Sequence, residues 1–179
     1  MSKLSDQEYQ RRCAQIKLLI LDVDGVMTDG SLYMDNHGEE FKAFNSKDGH
    51  GIRMLQECGV EAAILTGRKS KLVEHRSKDL NIKYVLQGYR DKRPAYTELK
   101  NAVQLKDEQI AYIGDDVIDL PVMSQVGLAV AVSDAHPFVI EHAHWVSNTV
   151  GGRGAVREIC EQIIDSRGLL QKKLESYLT

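Results

Sequence analysis

Five short apolar runs recur along the chain: Lys17–Leu21, Val60–Leu65, Lys83–Leu86, Gln109–Ile113 and Leu128–Val132. Their apolar residues are consecutive rather than alternating, which marks strands buried on both faces. Parallel neighbours need a crossover long enough to hold a helix. The intervening sequence supplies one each time, over Gly49–Cys58, Lys69–Leu80, Pro94–Leu105 and Ile118–Val126. This alternation predicts an α/β fold, a three-layer parallel sheet with helices on both faces. Around that core the pattern predicts a leading helix over Ser5–Gln15, a helical turn over Pro137–His142, an edge strand at Trp145-Val146 and a closing helix over Gly154–Arg167. Two alternating runs flanking Asp35-Asn36-His37-Gly38 predict a β-hairpin insertion at about 31–44. The tail, about 168–179, is polar and is expected to be flexible.

At 179 residues, without a Gly/Ser-rich linker or internal repeat, the chain is expected to be a single domain over 1–179. A composition of 42% hydrophobic and 27% charged residues is that of a soluble globular protein. The formal charge of −3 offers no footprint for nucleic acid or another polyanion. No apolar stretch approaches a membrane span, and Met1-Ser2-Lys3-Leu4-Ser5-Asp6 lacks a signal peptide's apolar segment, so a cytoplasmic protein without a membrane partner is expected. Cys13, Cys58 and Cys160 are far apart and read as reduced structural thiols.

Ligands of parallel sheets gather outside the carboxyl ends of the strands. Four polar clusters fall there: Asp22-Val23-Asp24 after the first run, Thr66-Gly67-Arg68 after the second, the loop holding Lys92 after the third, and Gly114-Asp115-Asp116-x-x-Asp119 after the fourth. Two carboxylates as close as Asp22 and Asp24 need a cation beside them. A set of carboxylates, a hydroxyl and a lysine at one rim suits phosphoryl transfer from a phosphate monoester. Asp22 then serves as nucleophile and forms an aspartyl-phosphate. Asp24, on the same side of an extended stretch, protonates the leaving oxygen and afterwards activates water. Asp115 completes the oxygen shell of Mg²⁺, Thr66 offers a hydroxyl to the phosphoryl oxygens, and Lys92 adds a point charge.

Asp22-Val-Asp24-Gly-Val, Thr66, Lys92 and Gly114-Asp115-Asp116-x-x-Asp119 resemble the four motifs of the haloacid dehalogenase superfamily of phosphatases. The resemblance implies a Rossmann-like sheet of order 3-2-1-4-5, Mg²⁺ as cofactor and the aspartyl-phosphate route. It implies that the metal takes a carboxylate oxygen of Asp22, the backbone oxygen of Asp24 and a carboxylate oxygen of Asp115. Asp116 and Asp119 are implied to hold the metal's waters and Lys92 in place.

A narrower resemblance, to phosphatases of long-chain sugar-acid phosphates within that superfamily, runs through Asp22 to Gly30, Asn45-Ser-Lys-Asp48-Gly49, Thr66-Gly-Arg68-Lys69, Gly114-Asp-Asp116, Ala135-His136-Pro137 and Gly151 to Glu158. It implies a small anionic sugar phosphate as substrate. The implied substrate contacts are Asp24, Asn45, Ser46, Lys47, Asp48, Gly49, Arg53, Arg68, Arg76 and Lys92. Lys47 stands where that group carries arginine, and a lysine lacks the bidentate fork. The resemblance also implies a homo-oligomer, a tetramer whose hairpins meet centrally and whose subunits help close one another's sites. Spacing points the same way, because about 40 residues between Asp24 and Thr66 and about 25 between Thr66 and Lys92 leave no room for a cap domain. A non-catalytic regulatory subunit of the same fold is the alternative of a different class, and the intact carboxylates argue against it. Gly151 to Gly154 reads as a flexible turn before the last helix, lacking the Gly-Lys-Ser/Thr of a phosphate loop.

Overall fold

The computed structural model describes residues 4–178. The helix α1 (Asp6–Gln15) starts at Ser5, whose hydroxyl accepts from the Glu8 N–H, and leads into β1 (Leu18–Leu21). The hairpin strands β2 (Tyr33–Met34) and β3 (Glu40–Phe41) follow, then α2 (Ser46–Glu57), β4 (Glu61–Thr66), α3 (Lys71–Asp79) and β5 (Tyr84–Gln87). The second half runs α4 (Lys92–Val103), β6 (Ile110–Gly114), α5 (Leu120–Met123), β7 (Leu128–Ala131), α6 (Pro137–His142), β8 (Trp145–Val146), α7 (Ala155–Ser166) and α8 (Leu170–Glu175).

Six strands form one parallel sheet in the order β5-β4-β1-β6-β7-β8. Counting only these strands along the chain, the order is 3-2-1-4-5 with a sixth strand at the edge, as the resemblance implied. The path moves outward from β1 through β4 to β5, then returns to β6 on β1's other side. Right-handed crossovers of opposite direction place their helices on opposite faces. Accordingly α1, α2 and α7 pack as one group and α4 and α5 as another. All four residues of β1 are fully buried, as its consecutive apolar pattern requires. The reversal at β1 opens a crevice beside its carboxyl end. Leu21 pairs with Ile64, two residues before Thr66, and with Ile113, two residues before Asp115.

Several boundaries differ from the sequence expectation for identifiable reasons. Helix α2 begins three residues earlier than Gly49, because Asn45 caps it by accepting from the Lys47 and Asp48 N–H groups. Helix α4 begins at Lys92 rather than Pro94, because Asp91 is the cap; the expected loop position of Lys92 is therefore corrected to the first helical residue. The segment after Asp116 is a 3₁₀ turn, Val117–Asp119, before the short α5. The tail carries α8, tied back by Lys173 to Glu57 at 2.5 Å, where no regular element was expected. The Gly151–Gly154 segment is not a loose turn. Its backbone lies against the turn that follows Asp24: Gly152 N–H donates to the Val26 carbonyl at 2.8 Å, and a Cβ on Gly151 would overlap the Gly25 carbonyl.

Candidate functional site: an acidic rim around a buried lysine

Lys92 enters the rim from the first turn of α4 with no exposed surface. Its Nζ lies 3.0 Å from Asp22 Oδ1, 2.6 Å from Asp119 Oδ1 and 2.9 Å from the Tyr112 hydroxyl. Tyr112, on β6, donates to the same Asp119 oxygen at 2.6 Å. Asp119 Oδ2 accepts from the Asp115 and Asp116 N–H groups at 3.0 and 3.2 Å. Both oxygens of Asp119 are thus fully engaged in holding Lys92 and the loop after β6. A side chain on Gly114 would occupy the space that Asp119 needs. Of the pair expected to hold the metal's waters and Lys92, it is Asp119 that bonds Lys92. Asp116 is exposed and accepts from the Val117 N–H at 2.7 Å, capping the 3₁₀ turn.

Asp22 and Asp115 are the carboxylates left with lone pairs to give. Oxygens of Asp22, Asp115 and Asp119 lie within 4.8 Å of one another. Asp115 Oδ1 is buried and makes no hydrogen bond within the protein, and buried Asp22 Oδ1 faces only the Lys92 ammonium at 3.0 Å. Burial pushes the Asp22 carboxyl up to about 7, with the Asp119 charge adding and the Lys92 ammonium opposing. Burial pushes Asp115 up to about 8, with Asp119 and Asp22 adding. Burial pulls Lys92 down, but Asp22 and Asp119 outweigh it, so its pKa is raised and it stays an ammonium. An orphaned Asp115 oxygen crowded against the Asp22 carboxylate fits a hard divalent cation. Glycine is required at 25 for the same reason: φ is +90°, and a Cβ would overlap Asp115 Oδ2.

Thr66 is buried as the last residue of β4, and its carbonyl accepts from Gly88 N–H at 3.0 Å. It does not cap the next helix, whose cap position is Ser70. Asp24 sits half-buried on the turn after β1, paired with Lys42 Nζ through Oδ1 and 3.8 Å from Arg68 Nε through Oδ2. Sequence reasoning missed Lys42 and its neighbour Glu40, which bonds Arg68 Nη2 at 2.9 Å. The available signal was the alternation Glu40-Phe41-Lys42, which puts two charged residues on one hairpin face and the phenyl on the other.

The structure brings the remaining expected substrate contacts together only in part. Asn45 spends its amide on the α2 cap and on the Gly152 carbonyl at 3.2 Å. Asp48 is buried, and its oxygens accept from the Arg157 and Gly154 N–H groups at 2.8 and 3.3 Å, capping α7. Gly49 is a close-approach position beside the Arg76 guanidinium. These three shape the rim rather than project into it, because α2 begins early; Ser46 and Lys47 are the exposed members of the stretch. Arg76 bonds the Asn45 carbonyl at 3.2 Å and lies over Phe44, and its Nε is buried without a hydrogen bond. Arg53 is not at this chain's rim. It donates to the Asp79 carbonyl at 2.7 Å and lines a cleft with Val60, Glu61 and Asn81, at the amino end of β4.

Fold and rim together define a haloacid dehalogenase-type hydrolase, with an aspartate pair after the first strand and a buried lysine facing it. Residues 84–159 match the haloacid dehalogenase-like hydrolase family. The 3-deoxy-D-manno-octulosonate 8-phosphate phosphatase of Yersinia pestis is 56% identical over 165 residues, covering 92% of this chain and 86% of that protein. The crystal structure of the Moraxella catarrhalis phosphatase of the same name, in complex with magnesium ion, phosphate ion and a KDO molecule, superposes with a TM-score of 0.94 at 33% identity, covering 97% of this chain and 99% of the other. The cobalt-bound Haemophilus influenzae phosphatase superposes with a TM-score of 0.90 at 38% identity, covering 94% and 99%. The chain belongs to the 3-deoxy-D-manno-octulosonate 8-phosphate phosphatase family.

Proposed function

We propose that the protein hydrolyses 3-deoxy-D-manno-octulosonate 8-phosphate to the free sugar acid and inorganic phosphate, a step toward the inner sugar of bacterial lipopolysaccharide. The observation that carries this reading is the buried Lys92 ammonium between Asp22 and Asp119, beside carboxylate oxygens with no other partner. Asp22 Oδ attacks phosphorus and the ester oxygen leaves, protonated by Asp24; Asp24 then takes a proton from the water that cleaves the aspartyl-phosphate. Lys92 opposes the burial that favours a neutral Asp22, holds that carboxyl in place, and adds positive charge beside the phosphoryl oxygens. Thr66 and the N–H groups that follow it receive those oxygens. Asp22, Asp115 and the Asp24 carbonyl would hold Mg²⁺, which would supply charge neutralisation for the phosphoryl group. Arg68, Arg76, Ser46 and Lys47 line the approach and suit a sugar acid's carboxylate and hydroxyls. Phosphate release from a panel of sugar phosphates tests the substrate: turnover is expected on the eight-carbon acid phosphate. Equal turnover of simple hexose phosphates, or a preference for a nine-carbon sugar acid phosphate, overturns it.

Among the described residues no cap domain covers the site, and Leu32, Tyr33, Met34 and Phe41 stand exposed on the hairpin. These observations support a homotetramer assembled through the hairpins, checked by light scattering at micromolar concentration, where a monomer sinks the idea. No described helix is long and apolar enough to cross a membrane, and the three cysteines are unpaired. Both facts agree with residence in the reducing cytoplasm.

The raised carboxyls give a metal prediction whose sign can be worked out. Asp22 and Asp115 ordinarily titrate near 3.8 and in the fold near 7 and 8. Between those values the unfolded chain has released protons that the fold retains, so metal-free stability falls as pH rises through this window. A bound cation removes that loss and competes with the same protons. The rise in Tm on adding Mg²⁺ is therefore expected to be larger at pH 8 than at pH 5.5, by differential scanning fluorimetry. An equal rise at both values contradicts the assignment.

A further inference from the structure

The hairpin reaches back to the rim through Lys42. Its side chain is only 2% exposed, although the hairpin strands around it are open to solvent. Lys42 Nζ meets Asp24 Oδ1 and lies 3.2 Å from Glu40 Oε1. Glu40 Oε1 also receives Arg68 Nη2 at 2.9 Å, while Arg68 Nε stands 3.8 Å from Asp24 Oδ2. One hairpin carboxylate thus holds two cations, and each cation faces a different oxygen of the same aspartate. Residues 40 and 42 can act together because they share a strand face, and Phe41 points the other way. Asp22, Lys92 and Asp115 take no part in this chain of contacts.

We propose that Lys42 is a positioning residue for Asp24. Lys42 anchors Oδ1 and so fixes the carboxylate's rotation, leaving Oδ2 as the oxygen that carries the proton to the leaving group. Glu40 sets Lys42 and Arg68 at their spacing. The hairpin is by this account part of the catalytic apparatus as well as an exposed arm, and its placement is coupled to proton delivery. The step itself is unchanged: the P–O ester bond breaks, the proton passes from Asp24 Oδ2 to the departing alkoxide, and Asp22 gains the phosphoryl group.

This inference rests on the phosphatase reading, and the test separates the two. A sugar alkoxide needs a proton as it leaves, whereas p-nitrophenolate leaves unprotonated near neutral pH. The quantity kcat/KM reports the steps up to transfer onto Asp22 and excludes later hydrolysis of the intermediate. For Lys42→Met, kcat/KM on the sugar-acid phosphate is expected to fall about tenfold or more, a fraction of what a general acid contributes. With p-nitrophenyl phosphate it is expected to stay within about twofold, because that substrate bypasses the acid. Lys42→Arg is expected to restore part of the loss, since it keeps a cation on the same face. Equal losses on both substrates, or none on either, overturn the proposal. Wild-type protein inactive on both substrates would instead refute the phosphatase reading. Unchanged Mg²⁺-induced thermal stabilisation in Lys42→Met is expected and shows that the rim still folds; its loss counts as a structural role and also overturns the proposal.

Discussion

Asp22→Asn is expected to reduce phosphate release by about 10⁴-fold or more while leaving the fold intact. The two halves of that expectation have different causes. Asn keeps the shape of the carboxylate but cannot form a stable acyl-phosphate, so the route through residue 22 closes. Stability responds in the opposite sense. Asp22, Asp115 and Asp119 crowd their oxygens within 4.8 Å, and burial already makes the Asp22 charge costly. Removing that charge relieves repulsion on Asp115, while Lys92 keeps its closest partner, Asp119 at 2.6 Å. Metal-free Asp22→Asn is therefore expected to melt at or above the wild-type temperature at pH 8, and to gain less from Mg²⁺. Coupled assays of phosphate release and thermal scans with and without chelator check both halves. Retained turnover would remove Asp22 as nucleophile; a large fall in metal-free Tm would mean that its charge is structurally satisfied after all.

The parts of the protein readable from sequence were those that local pattern determines. Apolar runs end where strands end, so β1, β4 and β6 and the polar clusters at their carboxyl ends follow from periodicity alone. The order of the strands came instead from the resemblance to the haloacid dehalogenase superfamily, because periodicity marks strands without ordering them. Lys92 was misplaced into a loop because Pro94 is a strong helix-start signal, whereas the real cap is Asp91, two residues earlier than that signal suggests. The resemblance made Asn45 and Asp48 substrate contacts; in the fold their side chains also bond backbone groups of Gly152, Gly154 and Arg157, more than a hundred residues away. No local pattern announces such a contact. Arg53 shares its helix with that stretch but lies two turns along it, and this geometry carries it to the wrong end of the sheet. Lys42 was passed over because the resemblance and the lack of room for a cap domain drew the reading of the hairpin toward assembly. Its charged face lies against the rim, which only the three-dimensional placement of the insertion reveals.

Lys92→Met is expected to lower stability as well as activity, and the size of the fall measures how the rim is neutralised. The methionine fills similar volume, so packing loss is small and the effect is electrostatic. Without the ammonium, Asp22 and Asp119 remain buried with no cation from the protein, and the Tyr112 hydroxyl is left with Asp119 alone. Breaking a buried pair by removing one partner costs roughly 3–5 kcal/mol. For a domain of this size that corresponds to a fall in Tm of about 10 °C, measured without metal at neutral pH. Lys92→Arg is not expected to rescue, because the lysine has no exposed surface and a guanidinium cannot enter a slot shaped for one nitrogen. Adding Asp119→Asn to Lys92→Met is expected to recover much of the stability, since the amide oxygen can still accept the Asp115 and Asp116 N–H groups. It is not expected to recover phosphate release, because the positive charge beside the phosphoryl oxygens is still missing. If Lys92→Met melts within about 2 °C of wild type, a shift worth less than about 1 kcal/mol, the carboxylates are neutralised by something other than this ammonium. Stability and catalysis draw on the same charge here, and the double variant is the comparison that separates them.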